Sequence, residues 1–164
     1  MFNKPIMKER SIQIHYVEYQ GLSGLSPSDQ ELILRAREAA QGGYAPYSGY
    51  RVGAAVCLDQ DEVLTGNNQE NAAYPSGMCA ERTALYYAAS QHPDKGVVAM
   101  AVSVLDRQGQ LAMAKPCGAC RQVLAESEDR GGHPVRILLD GPDTILLFTG
   151  VDSLLPLRFT RDDL

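Results

Sequence analysis

Apolar and polar positions follow two different periods along this chain, and the changes of period predict an ordered series of strands and helices. Residues 11–19 alternate between apolar and polar side chains, which indicates an edge strand. Ser26-Pro27 provides an N-cap followed by a proline at the first helical position. Gly42-Gly43 is a stop signal, so we predict a helix from residue 27 to about residue 41.

The stretch 51–58 predicts a strand that is covered on both sides, because neither of its faces is polar. One face carries Val52, Ala54, Val56 and Leu58, and the other carries Gly53, Ala55 and Cys57. The small residues of the second face favour a closely packed helix. A partner strand near 63–66 is expected to pair with it through the turn at 59–61.

The second half of the chain predicts two further helices and three further strands. Alanines recur every four residues in a helix predicted at 80–91 and form a stripe that allows close approach to a sheet. The almost unbroken apolar run 97–105 is typical of a central strand buried on both sides. The remaining predictions are a helix at 118–126, strands at 135–139 and 144–148, and one short helix after residue 151.

This order predicts an α/β fold, a three-layer α/β/α domain with a mixed five-stranded sheet and an extra N-terminal strand. A chain of 164 residues fits one domain, which we place at 21–164. Residues 1–20 form an N-terminal extension that we expect to be only partly ordered, since the first ten residues show no pattern.

The charge of the chain restricts its partners. There are 15 Lys and Arg against 20 Asp and Glu, for a net charge of −5, and the basic residues form no run. This disfavours a nucleic-acid surface and favours a small or weakly charged ligand. We find no signal-peptide pattern and no apolar run long enough for a membrane span, so we expect a cytoplasmic protein that does not bind membranes.

Three of the four cysteines stand in two short motifs that predict one metal site. Cys79 begins Cys-Ala-Glu-Arg, and Cys117 and Cys120 belong to Pro-Cys-Gly-Ala-Cys. Three thiolates on Zn²⁺ leave a fourth position open, as in catalytic sites. Glu81 is then free to transfer protons, in the pattern of zinc-dependent base deaminases. Arg82, three residues after Cys79, is expected to donate to the thiolate sulfurs and offset their charge.

The sequence spacing of the cysteines alone does not exclude other kinds of site. The Cys-x-x-Cys pair is also typical of redox proteins and structural zinc modules. Cys57 is a candidate fourth ligand of a closed site, although its apolar strand favours a buried thiol. Glu81 reaches the metal region only if Cys79 precedes the regular helix. The three histidines lie outside the motifs and are expected to be ordinary surface or loop residues, at positions His15, His92 and His133.

With these motifs the chain resembles the small, homotetrameric class of cytidine deaminases, over about residues 25–164. The similar segments occur in the same order and at the same spacing. They are Tyr44-Ala45-Pro46-Tyr47-Ser48, Val52-Gly53-Ala54-Ala55, Asn68-Gln69-Glu70-Asn71-Ala72-Ala73-Tyr74, Cys79-Ala80-Glu81-Arg82-Thr83-Ala84, Pro116-Cys117-Gly118-Ala119-Cys120-Arg121-Gln122 and Leu154-Leu155-Pro156.

The resemblance implies hydrolysis of cytidine and deoxycytidine to uridine and deoxyuridine plus ammonia, in pyrimidine salvage. It implies one Zn²⁺ per subunit, held by the three cysteines named above, with Glu81 as the proton shuttle. Asn68 and Glu70 resemble the ribose contacts, and Ala80 the residue whose N–H meets the ring. The active sites are implied to lie at subunit interfaces of a homotetramer.

Two positions depart from the family. Tyr50 stands where the family usually has a phenylalanine beside the base, so its hydroxyl needs a partner. Phe159 resembles the aromatic that a neighbouring subunit stacks over the base, but Leu157-Arg158 precede it where small residues are common. The alternative for Phe159 is packing on its own core. Rival activities are deamination of bases in RNA or DNA and of an antibiotic such as blasticidin S.

Overall fold

A computed structural model describes residues 7–164. Its seven strands are β1 Val17–Gln20, β2 Arg51–Leu58, β3 Val63–Asn67, β4 Val97–Leu105, β5 Leu111–Ala112, β6 Arg136–Leu139 and β7 Thr144–Thr149. Its α-helices are α1 Pro27–Gln41, α2 Ala80–Gln91 and α3 Gly118–Gly131. Short 3₁₀ turns lie at Leu22–Gly24, Tyr74–Ser76, Val151–Ser153 and Arg161–Asp163.

All strands join one mixed sheet. The order is β1-β7-β6-β4-β2-β3, and the two-residue β5 pairs with β4 beside this path. β4 and β6 are parallel, and every other pair is antiparallel. Without β1 and β5 the sheet has the five strands that the sequence predicts, and β1 is the extra N-terminal strand.

Helix α1 covers one face of the sheet. It begins after Ser26, whose hydroxyl accepts a hydrogen bond from the Asp29 N–H at 3.2 Å. The predicted small face of β2 lies beneath it: a Cβ placed on Gly53 would overlap the backbone of Ala36 and Ala40. The glycine therefore lets the helix backbone touch the sheet, and Ala55 belongs to the apolar core on that side.

Helices α2 and α3 cover the other face and complete the three layers. The predicted alanine stripe packs on β3, where a Cβ on Gly66 would come within 2.6 Å of the Ala84 nitrogen and 3.0 Å of the Ala80 oxygen. The larger core lies here and contains the face of β2 that carries Ala54, Val56 and Leu58. This packing fixes where α2 and α3 begin, which is where the cysteines are.

The structure corrects several of the predicted bounds. Of the predicted strand 11–19 only residues 17–19 pair, with β7, and the pairing continues to Gln20. The apolar residues before them are more than half exposed, namely Ile12, Ile14 and Tyr16. The alternation there has no partner strand beside it. α3 continues five residues beyond the predicted end to Gly131, because its stop is the left-handed Gly132 (φ 72°). β5 was not predicted.

Residues 1–6 of the predicted N-terminal extension lie outside the described residues. Within 7–164, no helix has both the length and the apolar character needed to cross a membrane.

Candidate active site

The three predicted metal ligands meet at the entrances of two helices. Cys79 is the N-cap of α2, and Cys117 is the N-cap of α3, with Cys120 in the first turn. Their sulfurs lie within 4.8 Å of one another. Cys79 Sγ is 4.0 Å from Cys117 Sγ, which is 3.4 Å from Cys120 Sγ. A tetrahedral site with Zn–S bonds of about 2.3 Å requires sulfurs about 3.8 Å apart, so the cluster fits zinc.

The surroundings of Cys79 favour its thiolate. Its pKa is lowered to about 5, first by the hydrogen bond from the Cys120 thiol and then by Arg82 and Cys117, against the effect of partial burial. The Arg82 guanidinium donates to Cys79 Sγ at 3.8 Å, as the sequence predicts. The pKa of Cys120 is raised, first because its proton is shared with Cys79 and then by burial. These opposite shifts favour the thiolate at Cys79 and the thiol at Cys120.

Glu81 is a buried carboxyl group two residues after Cys79, with 4% of its surface exposed. Cys79 has extended backbone angles (φ −75°, ψ 150°), so it precedes the regular helix as the prediction for Glu81 requires. Burial raises the pKa of Glu81, and the charge on Cys79 raises it further, while hydrogen bonds from its own N–H and from Cys120 oppose this. A carboxyl group whose pKa is raised is better suited to accept a proton and to donate it again than an ordinary surface carboxylate.

A cleft of about 720 Å³ opens at the cysteines, large enough for a small organic ligand. Cys79, Ala80, Glu81 and Cys117 form part of its wall. The loop that precedes α2 and the segment around residue 50 supply most of the remainder, and these include Tyr50, Asn68 and Glu70. The structure therefore brings the predicted substrate-binding residues to the same cavity as the predicted metal ligands, apart from Phe159.

Asn68 and Glu70 differ in how much of their hydrogen-bonding capacity is free. The Asn68 amide is buried, accepts from the Val52 N–H at 2.8 Å and donates to the Tyr50 carbonyl at 2.9 Å. Glu70 accepts from the N–H groups of Tyr47 (2.9 Å) and Ser48 (3.2 Å), both through Oε2. Its pKa is lowered, first by the Ser48 hydroxyl and then by these N–H groups. Glu70 is thus an anchored carboxylate with Oε1 available to a ligand.

Phe159 lies outside this cleft. Its side chain is 57% exposed and does not belong to the lining residues of the cavity. The exposure is contrary to the alternative in which Phe159 packs on the core of its own chain. Tyr50 lines the cleft with 46% of its surface exposed, so its hydroxyl has access to water.

One alternative from the sequence is wrong in the described part of the chain, and the prediction for the histidines agrees with the structure there. Cys57 is half-buried on the α1 side of the sheet and does not join the sulfur cluster, so the closed four-cysteine site is not formed. His92 and His133 lie near carboxylates, Glu62 at 3.2 Å and Asp59 at 3.8 Å, away from the cysteines.

Two residues that the sequence did not single out also contribute to the site. Arg121 donates from Nε to the Pro116 carbonyl at 2.9 Å, which holds the loop just before Cys117. Its position four residues after Cys117, one turn along α3, is a local signal that identifies it. Lys115 lines the cleft beside Cys117. No spacing rule indicates Lys115, because it lies in an irregular segment.

The comparisons with known proteins agree with this site. A family model of the cytidine and deoxycytidylate deaminase zinc-binding region matches residues 26–131. The chain therefore belongs to the cytidine and deoxycytidylate deaminase family. A cytidine deaminase of Halalkalibacterium halodurans is 41% identical over 82% of this chain and 96% of its own length. One from Mycobacterium tuberculosis is 39% identical over 79% of this chain and 87% of its own.

Solved structures show the same relationship. The crystal structure of cytidine deaminase from Burkholderia pseudomallei is similar with a TM-score of 0.66 and 35% identity, covering 79% of this chain and 97% of that one. The cytidine deaminase of Mycobacterium tuberculosis gives a TM-score of 0.60 and 34% identity, over 79% and 95% of the two chains. Among members of the family, this chain thus resembles enzymes named as cytidine deaminases over nearly their whole length.

Proposed function

We propose that this chain hydrolyses cytidine and deoxycytidine to uridine and deoxyuridine plus ammonia, with one Zn²⁺ per subunit. The observation that carries the proposal is a cluster of three sulfurs within 4.8 Å of one another, at a ligand-sized cleft that Cys79, Cys117 and the buried Glu81 line. Redox exchange uses two thiols and has no role for Glu81. A structural zinc module would have a fourth protein ligand, whereas within residues 7–164 the cluster contains only the three cysteines.

The cysteines and Arg82 form the metal-binding part of the mechanism. Cys79, Cys117 and Cys120 hold the zinc, which when bound lowers the pKa of a water molecule towards about 7. Three thiolates exceed the charge of the zinc by one, which weakens this effect. The Arg82 guanidinium at 3.8 Å from Cys79 Sγ offsets that charge.

Glu81 transfers the protons. Its carboxylate takes a proton from the attacking water and delivers it to ring N3, while the water oxygen bonds to C4. The carboxylate then takes the second proton of the same water molecule and delivers it to the amino group. The bond between C4 and the amino nitrogen breaks, and ammonia leaves. Its raised pKa keeps both protonation states accessible during the cycle.

The cleft supplies the contacts for the nucleoside. Glu70 accepts from a ribose hydroxyl through Oε1, while Asn68 offers its remaining N–H and holds the wall between Tyr50 and Val52. The Ala80 N–H, at the start of α2, meets the ring, and Tyr50 lies beside it. Phe159 of a neighbouring subunit closes the site in a homotetramer.

The proposal also covers the organisation and role of the whole chain. Residues 21–164 form the catalytic domain, and residues 1–20 are an extension. The enzyme serves pyrimidine salvage in the cytoplasm.

An ultraviolet assay of the purified zinc-loaded protein tests the substrate class. Cytidine, deoxycytidine, CMP, adenosine, blasticidin S and a cytosine-containing oligonucleotide are supplied separately. We expect turnover of the two cytosine nucleosides. Turnover of the oligonucleotide or of blasticidin S without turnover of free cytidine would contradict the proposal and favour the corresponding rival.

Glu81→Gln tests the mechanism. We expect zinc content to stay at one per chain while kcat falls by at least about 10³-fold, because the amide cannot accept the proton. The matched control is Glu31→Gln, on the exposed side of α1, which should retain full activity. Normal turnover in Glu81→Gln would refute the role of Glu81. Loss of zinc from Cys57→Ser would instead indicate a closed structural site.

A further inference from the structure

The segment 154–160, here called the C-terminal tail, is fastened to α3, the helix that also carries Cys117 and Cys120. Arg121 donates to the Leu154 carbonyl at 2.6 Å, and Gln122 donates to the Phe159 carbonyl at 2.8 Å. Both anchors belong to the first turns of α3. The backbone of the tail is therefore fixed relative to the metal ligands of its own chain.

Arg158 makes the third and most extensive attachment. Its guanidinium donates to Asp129 Oδ1 at 3.1 Å and to the Ala125 carbonyl at 3.3 Å. It also lies 3.3 Å from Asp152 Oδ1 and 3.6 Å from the buried Glu128 carboxylate. These partners surround a side chain that is only 21% exposed. The planar fork of arginine can address several of them at once, which a lysine cannot.

The attachments hold an unusual local conformation. Leu157 has a left-handed backbone (φ 57°), which is unfavourable for a branched residue, and its side chain is 94% exposed. Such strain persists only where neighbouring contacts impose it. The Arg158 side chain contacts α3, whereas the Phe159 side chain, one residue further, is exposed to solvent. The Phe159 backbone carbonyl accepts a hydrogen bond from Gln122. The C-terminal tail thus exposes the Phe159 side chain while its backbone is held against α3.

We infer that Arg158 is a positioning residue, which holds Phe159 in place to stack over the nucleobase in the cleft of a second copy of this chain. The inference rests on the proposed function. Phe159 does not line the cleft of its own chain, which supports the part of the proposed function that assigns its ring to the cleft of another subunit. Arg158 itself touches no substrate and acts through the placement of the phenylalanine ring.

Steady-state kinetics of Arg158→Ala test this assignment. We expect KM for cytidine to rise about tenfold, the effect of losing one base–aromatic stack, with kcat changed less than twofold. Arg158→Lys, which keeps the charge without the fork, should fall between wild type and Arg158→Ala. The matched control is Arg161→Ala in the same segment, since Arg161 is 89% exposed and approaches only the adjacent Asp162. It should keep the wild-type KM.

A double-mutant cycle separates positioning from a general structural effect. Phe159→Ala should raise KM by a similar factor, and adding Arg158→Ala to it should cause no further rise. Additive effects would show that Arg158 acts independently of the ring and would overturn the inference. Should Arg158→Ala fail to fold, Gln122→Ala removes another anchor of Phe159 and is expected to raise KM in the same non-additive way.

Mixed oligomers identify which subunit receives the ring. Arg158→Ala chains retain Glu81, and Glu81→Gln chains retain an intact tail. Co-expressed with different tags, they should form oligomers whose active sites regain the low KM. A KM that stays high, or a protein that is monomeric, would overturn the inference. Wild-type protein without cytidine turnover would instead refute the proposed function itself.

Discussion

At the scale of single residues, the charge balance around Cys79 determines how the sulfur cluster behaves before metal binds. Cys120 and Arg82 both donate hydrogen bonds to this sulfur, and its pKa falls to about 5. Cys57, on the other side of the sheet, has the opposite surroundings: burial and nearby carboxylates raise its pKa. The surroundings therefore favour the thiolate at Cys79 and the neutral thiol at Cys57.

This contrast predicts the pH dependence of thiol alkylation in the metal-free protein. The iodoacetamide rate at Cys79 should rise through about pH 5 and be constant at pH 7, because the thiolate is then fully formed. Cys57 should react more slowly at pH 7, at a rate that still rises with pH, because its pKa is raised and its thiolate fraction is small there. Mass spectrometry of the two peptides measures both rates in the same sample.

Two further alkylation experiments test whether the Cys79 profile depends on its neighbours and on the metal. Arg82→Gln should move the Cys79 midpoint to higher pH, because it removes the donating guanidinium, and it should leave the Cys57 profile unchanged. Zinc should protect Cys79 at every pH. A Cys79 midpoint near 8.5, the ordinary thiol value, would show that its neighbours do not stabilise the thiolate.

Local spacing was sufficient to identify the cysteines and Glu81 as candidates, because each group lies within one helical turn of its cap. It was insufficient for Arg158, whose partners Ala125 and Asp129 lie 33 and 29 positions away. The sequence marks Arg158 only as a departure from the family. Its contacts depend on how the tail folds back over α3, which no local period encodes.

At the scale of elements, the distance between α2 and the sheet sets the position of the active site. Gly66 of β3 faces the backbone of α2 and leaves no room for a methyl group. Since α2 begins with Cys79 and Glu81, any displacement of this helix also moves a metal ligand and the proton-transfer group.

Gly66→Ala is therefore expected to weaken both stability and activity. Overpacking of this kind costs about 1–3 kcal/mol in the free energy of unfolding. We also expect a lower zinc affinity, because Cys79 moves relative to Cys117. Urea unfolding and titration with a zinc indicator measure the two effects. The control for stability is Gly118→Ala, whose Cβ would meet no atom within 4 Å; equal stability of both variants would contradict the expected close contact.

The ends of helices and strands were predictable where a local sequence signal sets them. They were not predictable where pairing with another strand sets them. The Ser26-Pro27 cap predicted the start of α1, and the glycines after residue 41 predicted its end. Residues 11–16 have the alternation of a strand, yet pairing with β7 begins only at Val17. β5 has two residues and exists only because the turn after β4 folds back on it. Neither outcome could be read from periodicity.

At the scale of the whole molecule, Asp140 joins parts of the chain that are far apart in sequence. Its fully buried carboxylate accepts from Arg37 of α1 at 2.7 and 2.8 Å and from the Ser103 hydroxyl of β4 at 2.8 Å. Its backbone carbonyl accepts from the Ala114 N–H at 2.8 Å, at the start of the segment that leads to Cys117. One residue thus connects the α1 layer, the sheet and the ligand loop.

Asp140→Asn should destabilise the fold while leaving the chemistry intact. The amide replaces one acceptor oxygen with a donor that faces Arg37 and Ser103, and breaking a buried ion pair costs about 3 kcal/mol in the free energy of unfolding. The zinc content and kcat should stay near wild type, because the backbone bond to Ala114 does not involve the altered side chain. Urea unfolding measures the loss, with Asp162→Asn as the control for an aspartate that is 93% exposed. A loss below about 0.5 kcal/mol, the range of ordinary surface substitutions, would show that the Arg37–Asp140 pair does not hold the layers together.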